Sequence, residues 1–240
     1  MAARAALVTG GSSGIGLAIA RALGEDGYGV TLSARRPDKL EQAAAGLRAD
    51  GLEVEAVPAN MASEEDIVAL AGRHRERFGR LDVLVNNAGV GIGGPIAEYE
   101  TKKLDMQIGV NLRAVVITTR ECMSMLKEAG AEHRKAHVVN TASIAGKSGQ
   151  GWLSVYSATK FGVVGFTQAL HKEHSNDGIK ATALCPGFVD TAMTDWVKGS
   201  VAPEEMIQPE DIAGAVRYLL SVSPGCVVPE IQFIRPGEGL

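Results

Sequence analysis

The chain has 240 residues, a length that allows one sizeable hydrophobic core and is short for two domains of ordinary size. It is 45% hydrophobic and 22% charged, and its formal net charge is −4. This is the composition of an ordinary globular protein, without a block of basic residues. It argues against nucleic acid as a partner, because binding to phosphates needs clustered Lys and Arg.

Neither secretion nor membrane insertion is indicated by the sequence. The amino terminus runs directly into a strand-like segment, without the charged region and apolar run of a signal peptide. No apolar run approaches the length of about 18 residues that indicates a transmembrane helix. Cys122, Cys185 and Cys226 are far apart, which predicts neither disulfides nor a metal site. We therefore expect a cytoplasmic protein with reduced cysteines.

Short apolar runs alternate with longer helical stretches along the whole chain. The strand candidates are Ala5–Thr9, Gly29–Ser33, Glu53–Val57, Leu81–Asn86, Ala136–Thr141, Lys180–Cys185 and Glu230–Ile234. They lack strict polar–apolar alternation, as strands do when helices cover both faces of their sheet. The sequence thus predicts an α/β fold, a Rossmann-like doubly wound parallel sheet of about seven strands with helices on both faces. We expect residues 1–240 to form a single domain.

The intervening segments carry helix signals. Leu104, Ile108 and Leu112 recur at helical spacing, and the stretch 63–78 opens with a serine followed by three acids. Pro209, with acids behind it, is typical of a helix start. Right-handed crossovers would bring the carboxyl ends of all strands to one edge, where ligands bind in such sheets.

A glycine-rich loop follows the first strand candidate and precedes a helical stretch. Its glycines are Gly10, Gly14 and Gly16. Glycines let the backbone turn sharply and approach a pyrophosphate, and the start of the helix offers it unpaired N–H groups. An ordinary turn is the alternative, but the position between strand and helix favours a dinucleotide.

The residues at the end of the second strand indicate whether the dinucleotide is NAD or NADP(H). An acid at this position would accept hydrogen bonds from the ribose hydroxyls of NAD and repel a 2′-phosphate, and here the residue is Ala34. Arg35 and Arg36 follow it and provide planar donors suited to a phosphate. A solvated basic pair is the alternative; at this place in the fold, the pair favours NADP(H).

Tyr156 and Lys160 are four residues apart and would share one face of a helix. Reduction of a carbonyl needs a proton donor for the oxygen, and a nearby ammonium together with a positively charged nicotinamide would favour the phenolate of such a tyrosine. This spacing alone is common in helices. However, Ser143 lies at the carboxyl end of a strand candidate, where its hydroxyl could hold the substrate oxygen. Asn111 is an unexplained polar residue in an apolar helical stretch.

These motifs together resemble the short-chain dehydrogenase/reductase family, of the single-domain kind, over essentially the whole chain. The glycine loop matches the family's TGxxxGxG pattern, and the residues at its four catalytic positions are Asn111, Ser143, Tyr156 and Lys160. The resemblance implies that Asn111 disturbs its helix and binds a water in a proton relay. The residues that it implies at the cofactor are Gly10, Ser12, Ser13, Gly14, Ile15, Gly16, Arg35, Arg36, Asn60, Met61, Asn87, Ala88, Gly89, Tyr156, Lys160, Pro186, Gly187, Val189 and Thr191.

The function expected from this resemblance is an NADP(H)-dependent oxidoreductase that interconverts a carbonyl and an alcohol. Its partners would be a small-molecule substrate and further copies of the chain, in a homodimer or homotetramer. A non-catalytic NADP(H)-binding sensor with the same fold is the alternative, although it would not need all four catalytic residues. Where the family usually has an aspartate beside the adenine, this chain has Asn60.

The sequence predicts no definite function for the histidines, Trp152 or Met193. His171 and His174, three apart on a helix, lack the further ligands of a metal site, and we expect them on a solvated surface. We expect the same of His133 and His137. Trp152 and Met193 lie near catalytic or cofactor positions, and the sequence leaves open whether they line the substrate pocket or belong to the core.

Overall fold

The computed structural model describes residues 3–237. Its strands are β1 (Arg4–Thr9), β2 (Tyr28–Ala34), β3 (Val54–Pro58), β4 (Val83–Asn86), β5 (Ala136–Thr141), β6 (Ile179–Pro186) and β7 (Glu230–Phe233). Its longer helices are α1 (Gly14–Glu25), α2 (Pro37–Ala49), α3 (Glu64–Phe78), α4 (Thr101–Ile108), α5 (Ala114–His133), α6 (Ser154–His174) and α7 (Pro209–Ser221). No helix within these residues is long and apolar enough to cross a membrane.

The strands form one parallel sheet in the order β3-β2-β1-β4-β5-β6-β7. The predicted fold class and all seven strand candidates are confirmed. The chain extends the sheet from β1 to β3, then returns to the other side of β1 with β4. A crevice for a ligand is expected outside the carboxyl ends of β1 and β4, where the strand order reverses.

Helices pack on both faces of the sheet. Neighbouring residues of β1 illustrate this, because Leu7 and Val8 are both inaccessible to solvent yet enter different cores. Val8 belongs to the core beneath α1, α2 and α7, and Leu7 to the core beneath α3 and α5. Burial on both faces is the reason that the strands lack polar–apolar alternation.

The start of α3 forms as the sequence predicts. The Ser63 side chain accepts a hydrogen bond from the Asp66 N–H, and three acids occupy the first turn. The helix ends before Gly79, which adopts a left-handed conformation with φ of 70°. The serine cap, the three acids and the glycine therefore determine where this helix begins and ends.

Two sequence expectations, on the start of β4 and on His137, differ from the structure, and one predicted helix is interrupted. The fourth strand begins at Val83 rather than Leu81, and the Asp82 carboxylate before it accepts a hydrogen bond from the Ala5 N–H. The helical stretch around residues 104–116 is interrupted by a π-helical turn at Gly109–Arg113. His137 is not solvated: it is 1% exposed in β5, and its Nε2 lies 2.8 Å from Thr182 Oγ1.

Candidate active site

The glycine loop lies at the carboxyl edge of the sheet, between the ends of β1 and β4. Gly10 has φ of 67°, and a Cβ there would lie 2.9 Å from Ala88 Cα. A Cβ on Gly16 would lie 2.4 Å from the carbonyl oxygen of Gly10. Side chains at these two positions would therefore push the loop away from β4 and fill the space beside it.

The first turn of α1 has N–H groups available to a ligand. Ser13 is its amino-terminal cap residue in extended conformation, and its side chain makes no capping hydrogen bond. The turn contains Gly14, Ile15 and Gly16, and no acid lies in it. Unpaired N–H groups and the positive end of the helix dipole suit an anion, so this loop fits a pyrophosphate.

Asn87 holds the loop in place. Its Nδ2 donates to the carbonyl oxygens of Thr9 and Gly10 at 3.2 and 3.3 Å, and its Oδ1 accepts from Thr141 Oγ1 at 3.2 Å. The backbone N–H groups of Asn87 and Ala88 donate to Thr9 Oγ1. The Asn87 side chain is thus occupied by the framework, and a ligand would meet the backbone of this segment instead.

A second hydrogen-bond network, made by asparagine side chains, lies beneath the site and was not predicted from the sequence. Asn86 Nδ2 donates to Asn140 Oδ1 at 2.9 Å, and Asn140 Nδ2 donates to Thr167 Oγ1 at 2.9 Å. These residues join β4, β5 and α6 and are almost fully buried. Their only sequence signal is an Asn near the carboxyl end of each of two apolar strands.

Arg35 and Arg36 are exposed directly after β2. Within the described residues 3–237, neither forms a salt bridge with an acid. Asn60 is exposed after β3, where its Oδ1 accepts from the Ala62 N–H at 3.2 Å. The Met61 side chain packs in the core, which leaves its backbone for any ligand contact.

Asn111 lies in the π-helical turn, as the resemblance implies for a residue that disturbs its helix. It is 1% exposed; its Oδ1 accepts from the Val90 N–H at 2.8 Å, and its Nδ2 donates to the Val90 carbonyl and to Thr159 Oγ1. The side chain therefore anchors the segment after β4. Its role in a water relay stays a prediction.

The structure brings Ser143, Tyr156 and Lys160 together at the carboxyl ends of β5 and β6. Lys160 Nζ is 5.6 Å from the centroid of the Tyr156 ring and donates to the Thr141 carbonyl at 2.7 Å. Ser143 Oγ donates to the Pro186 carbonyl at 3.3 Å and accepts from the Ala145 N–H. A substrate oxygen could reach both hydroxyls here.

Burial governs the titration of the Tyr156–Lys160 pair. It lowers the pKa of the Lys160 ammonium to about 8. It also raises the pKa of the Tyr156 phenol, which a hydrogen bond with Ser143 lowers in part. Loss of hydration therefore dominates the pKa of this phenol. That the ammonium and a positively charged nicotinamide together favour the phenolate stays a prediction.

The segment after β6 borders the site and contacts the glycine loop. The Val189 side chain is in the core, and the Val189 carbonyl accepts from Thr194 Oγ1 at 2.6 Å. Thr191 reaches the glycine loop, where a Cβ on Gly14 would lie 2.8 Å from Thr191 Cγ2. Pro186 ends β6, and the Gly187 N–H donates to the Phe233 carbonyl of β7. These contacts place the segment over the crevice.

Trp152 and Met193 do not belong to the core. They are 57% and 47% exposed, and a Cβ on Gly91 would lie 3.7 Å from Met193 Sδ and 4.0 Å from Tyr156 Cε2. The histidines on α6 make no metal site, and the described residues contain no group of three or more His, Cys, Asp or Glu that could hold a metal ion.

Comparison with known proteins agrees with this architecture. A family model described as short chain dehydrogenase matches residues 4–200. A putative ketoacyl reductase of the monensin polyketide synthase from Streptomyces virginiae is 37% identical, with 98% of this chain and 97% of that protein covered. An uncharacterized oxidoreductase of Staphylococcus aureus strain MRSA252 is 36% identical over 96% of both chains.

Solved structures are similar over nearly the whole chain. An alcohol dehydrogenase from the archaeon Thermococcus sibiricus, complexed with 5-hydroxy-NADP, has a TM-score of 0.88 at 31% identity and covers 99% of this chain and 98% of its own. A variant of actinorhodin polyketide ketoreductase with NADPH has a TM-score of 0.88 at 35% identity, with 97% of both chains covered. The chain belongs to the short-chain dehydrogenase/reductase family of oxidoreductases.

Proposed function

We propose that this protein is an NADP(H)-dependent oxidoreductase that interconverts a carbonyl and an alcohol, with Tyr156 as the general acid in reduction. The observation that carries the proposal is the meeting of Ser143, Tyr156 and Lys160 beside a glycine loop with available helix N–H groups. The two solved relatives described above, with NADPH and an NADP derivative, support the choice of dinucleotide.

The residues at the crevice fit this cofactor. The loop from Gly10 to Gly16 would hold the pyrophosphate, and Arg35, assisted by Arg36 or Ser13, would bind the 2′-phosphate. The backbone after β3 and β4 borders the adenosine side. The full set of proposed contacts is Gly10, Ser12, Ser13, Gly14, Ile15, Gly16, Arg35, Arg36, Asn60, Met61, Asn87, Ala88, Gly89, Tyr156, Lys160, Pro186, Gly187, Val189 and Thr191.

In the reduction direction, bound NADPH supplies the hydride that the carbonyl carbon accepts. Ser143 orients the carbonyl oxygen by donating a hydrogen bond to it, and Tyr156 Oη donates the proton that this oxygen takes up. Lys160 binds the ribose hydroxyls and stabilises the phenolate that remains. Asn111, at the π-helical turn, would hold a water through which the phenol regains its proton.

The raised pKa of Tyr156 keeps its phenol protonated near neutral pH, which is the form that the reduction direction needs. A phenol that stays protonated is ready to donate, whereas oxidation of an alcohol would need its phenolate as base. The Lys160 ammonium, with its pKa near 8, is mostly charged at neutral pH and can oppose the charge that develops on the phenol oxygen.

The decisive assay is NADPH oxidation with a panel of ketones and aldehydes, for the parent and for Tyr156→Phe. We expect the variant to lose about 10³-fold in turnover because it removes the proton donor alone, and to bind NADPH with unchanged affinity. Binding of NADPH without Tyr156-dependent turnover on any carbonyl would instead indicate a cofactor-binding sensor.

We also propose that the chain acts as a homodimer or homotetramer in the cytoplasm. An apolar groove between α4 and α6 is lined by Leu104, Ile108, Val155 and Ala158, and Phe161 on α6 is 46% exposed. Burial of such a surface against a second copy would be favourable. Sedimentation of the purified protein, with Ile108→Glu as the variant expected to dissociate it, tests this proposal.

A further inference from the structure

Both tryptophans of the chain are exposed beside the site, although neither takes part in the chemistry proposed above. Trp152 is 57% and Trp196 is 60% exposed. With Phe188 and Met193 they form a continuous surface that we call the aromatic wall. Large apolar side chains that cluster at the surface mark binding sites more often than isolated ones do.

The aromatic wall is assembled from two separate segments. Trp152 lies just before α6, and Trp196 lies in the 3₁₀ turn Ala192–Val197 after β6. Their ring centroids are 6.0 Å apart at an interplanar angle of 51°. Phe188 meets Trp196 edge to face, also with a centroid distance of 6.0 Å. Each contact has the geometry of a favourable aromatic pair.

The wall is continuous with the proposed catalytic centre. A Cβ on Gly91 would be in van der Waals contact with both Met193 Sδ and the Tyr156 ring, so these two side chains border the same space. Met193 and Trp196 are three residues apart in a 3₁₀ turn, where side chains at this spacing lie on the same side. The apolar surface therefore runs from Tyr156 through Met193 to the tryptophans.

The backbone of Trp152 and its contact with Gly93 determine where the indole ring lies. Its φ is 66°, a left-handed conformation that is costly for a bulky residue, and its carbonyl accepts a hydrogen bond from the Gly94 N–H at 2.8 Å. A Cβ on Gly93 would lie 2.1 Å from the indole ring, so the ring covers the bare backbone there. The exposed indole is thus carried by a backbone conformation that is unfavourable for a residue of its size.

The charged groups nearest the wall are bound to other groups of the protein. Lys198 Nζ lies 2.9 Å from Asp190 and 2.8 Å from Asp195. The Arg235 guanidinium lies 5.6 Å from the centroid of the Phe188 ring and stacks on it, so the groups that a substrate would meet beyond Tyr156 are the two tryptophans and the Met193 thioether. Such groups bind flat, uncharged rings by stacking and by exclusion of water.

We infer that Trp152 and Trp196 determine substrate specificity, and that the preferred substrate is a ketone bearing an uncharged aromatic ring that lies against the aromatic wall while its carbonyl reaches Tyr156. This inference rests on the proposed function. It adds the class of substrate and assigns a role to two residues outside the catalytic set.

The test compares two ketones with the same carbon skeleton, β-tetralone and β-decalone. In both, the carbonyl is unconjugated, and only the remote ring differs, aromatic in the first and saturated in the second. We expect the parent to prefer β-tetralone by about tenfold in kcat/KM with NADPH, and Trp196→Ala and Trp152→Gly each to reduce this ratio to near unity. Tyr218→Ala, which removes an exposed aromatic residue on α7, should leave the ratio unchanged.

A binding measurement separates failure of this inference from failure of the proposed function. With NADP⁺ no reduction can occur, and the emission of the two tryptophans reports directly on the wall. Quenching by β-tetralone, corrected for absorption against free tryptophan amide, should saturate in the parent and be lost when Trp196 is replaced. Saturable quenching without turnover of any ketone would contradict the proposed function alone. A parent that reduces both ketones equally, with the ratio unaltered in the variants, would overturn the wall's role.

Discussion

A buried charge lies at each end of the sheet, but the two charges have different partners. Asp82 at the amino end is paired with an arginine, whereas Lys160 at the carboxyl end is bound by a backbone carbonyl. At the amino end, the Asp82 carboxylate, 2% exposed, accepts from Arg80 at 2.7 Å and from the Ala5 N–H at 2.7 Å, and lies 2.8 Å from His133 Nε2. At the carboxyl end, Lys160 is 4% exposed and has a backbone carbonyl as its acceptor.

The pKa values follow this difference. Burial alone would raise the pKa of Asp82, but its hydrogen bonds with Arg80, the Ala5 N–H and His133 bring it below its usual value. Burial lowers the pKa of Lys160, and within residues 3–237 no carboxylate forms a salt bridge with it to counter this. A buried charge that is paired with an opposite charge stabilises the fold, whereas one bound only by backbone carbonyls of the described residues, as in Lys160 and in Lys180 of β6, costs stability. Of these two lysines, Lys160 is the one that lies beside Tyr156.

Replacement of the unpaired charge gives the largest expected effect on activity. Lys160→Met should lower the turnover of carbonyl reduction by about 10³-fold, because the phenol loses the cation that stabilises its anion. The free energy of unfolding should stay the same or rise, since a desolvated charge is removed. Turnover and urea denaturation test both parts, with Lys172→Met on the exposed side of α6 as control. A large loss of stability would contradict the comparison.

Removal of the paired charge of Asp82 should lower stability and leave turnover unchanged. Asp82→Asn keeps an acceptor for the Ala5 N–H but removes the buried anion beside Arg80 and His133, which, of the described acids, leaves Arg80 only its exposed partner Glu132 at 3.2 Å. We expect the free energy of unfolding to fall by about 3 kcal/mol, with the turnover of the folded fraction unchanged. Asp50→Asn, which breaks the exposed pair with Arg21, is the matched control and should change stability by less than about 1 kcal/mol. Equal losses in the two variants would show that burial of Asp82 does not matter.

Acid should destabilise the fold through two neutral histidines, His74 on α3 and His137 in β5. Burial lowers the pKa of His74 to about 4 and that of His137 to about 3. Both histidines are neutral in the folded protein while the unfolded chain takes up protons below pH 6.5, so stability is lost as the pH falls from 6.5 toward these values. Near pH 5 the loss should be about 2 kcal/mol per histidine.

Urea midpoints across this pH range measure that loss. His137→Gln should make the midpoint less dependent on pH by about the contribution of one histidine. An unchanged slope in this variant would contradict the assignment.

The exposed cations of the carboxyl edge should have the smallest and most selective effect. Arg35→Ala should raise the Kd for NADPH by about thirtyfold, since it removes charge-assisted hydrogen bonds to the 2′-phosphate, and should leave the Kd for NADH nearly unchanged. Titration calorimetry with both cofactors measures this difference. Arg21→Ala, an exposed arginine on α1, is the control, and equal losses for NADPH and NADH would argue against 2′-phosphate recognition.

The fold could be predicted largely from the sequence because its signals are local. Each strand is a short apolar run, Ser63 and Gly79 mark the two ends of α3, and the reversal of strand order follows from a small set of allowed topologies. Tyr156 and Lys160 could be placed together because four residues along a helix fix their relation whatever surrounds them.

Features that depend on distant parts of the chain were not predictable. His137 has a polar sequence context, and its burial becomes evident only when Thr182 of β6 lies beside it. The depressed pKa of Lys160 and the raised pKa of Tyr156 depend on burial by segments far along the chain. The contact between Trp152 and Trp196 likewise joins loops that no sequence spacing relates.

The most direct test of the central claim, that an unpaired buried Lys160 supports Tyr156 as proton donor, is the pH dependence of kcat/KM for carbonyl reduction. We predict a fall of about tenfold per pH unit above about pH 8, as the Lys160 ammonium loses its proton, and no such limb in Lys160→Met. The Tyr156 phenol should lose its proton only at higher pH, because burial raises its pKa above the usual value. A flat profile through pH 8 in the parent, or the same limb in Lys160→Met, would contradict the account.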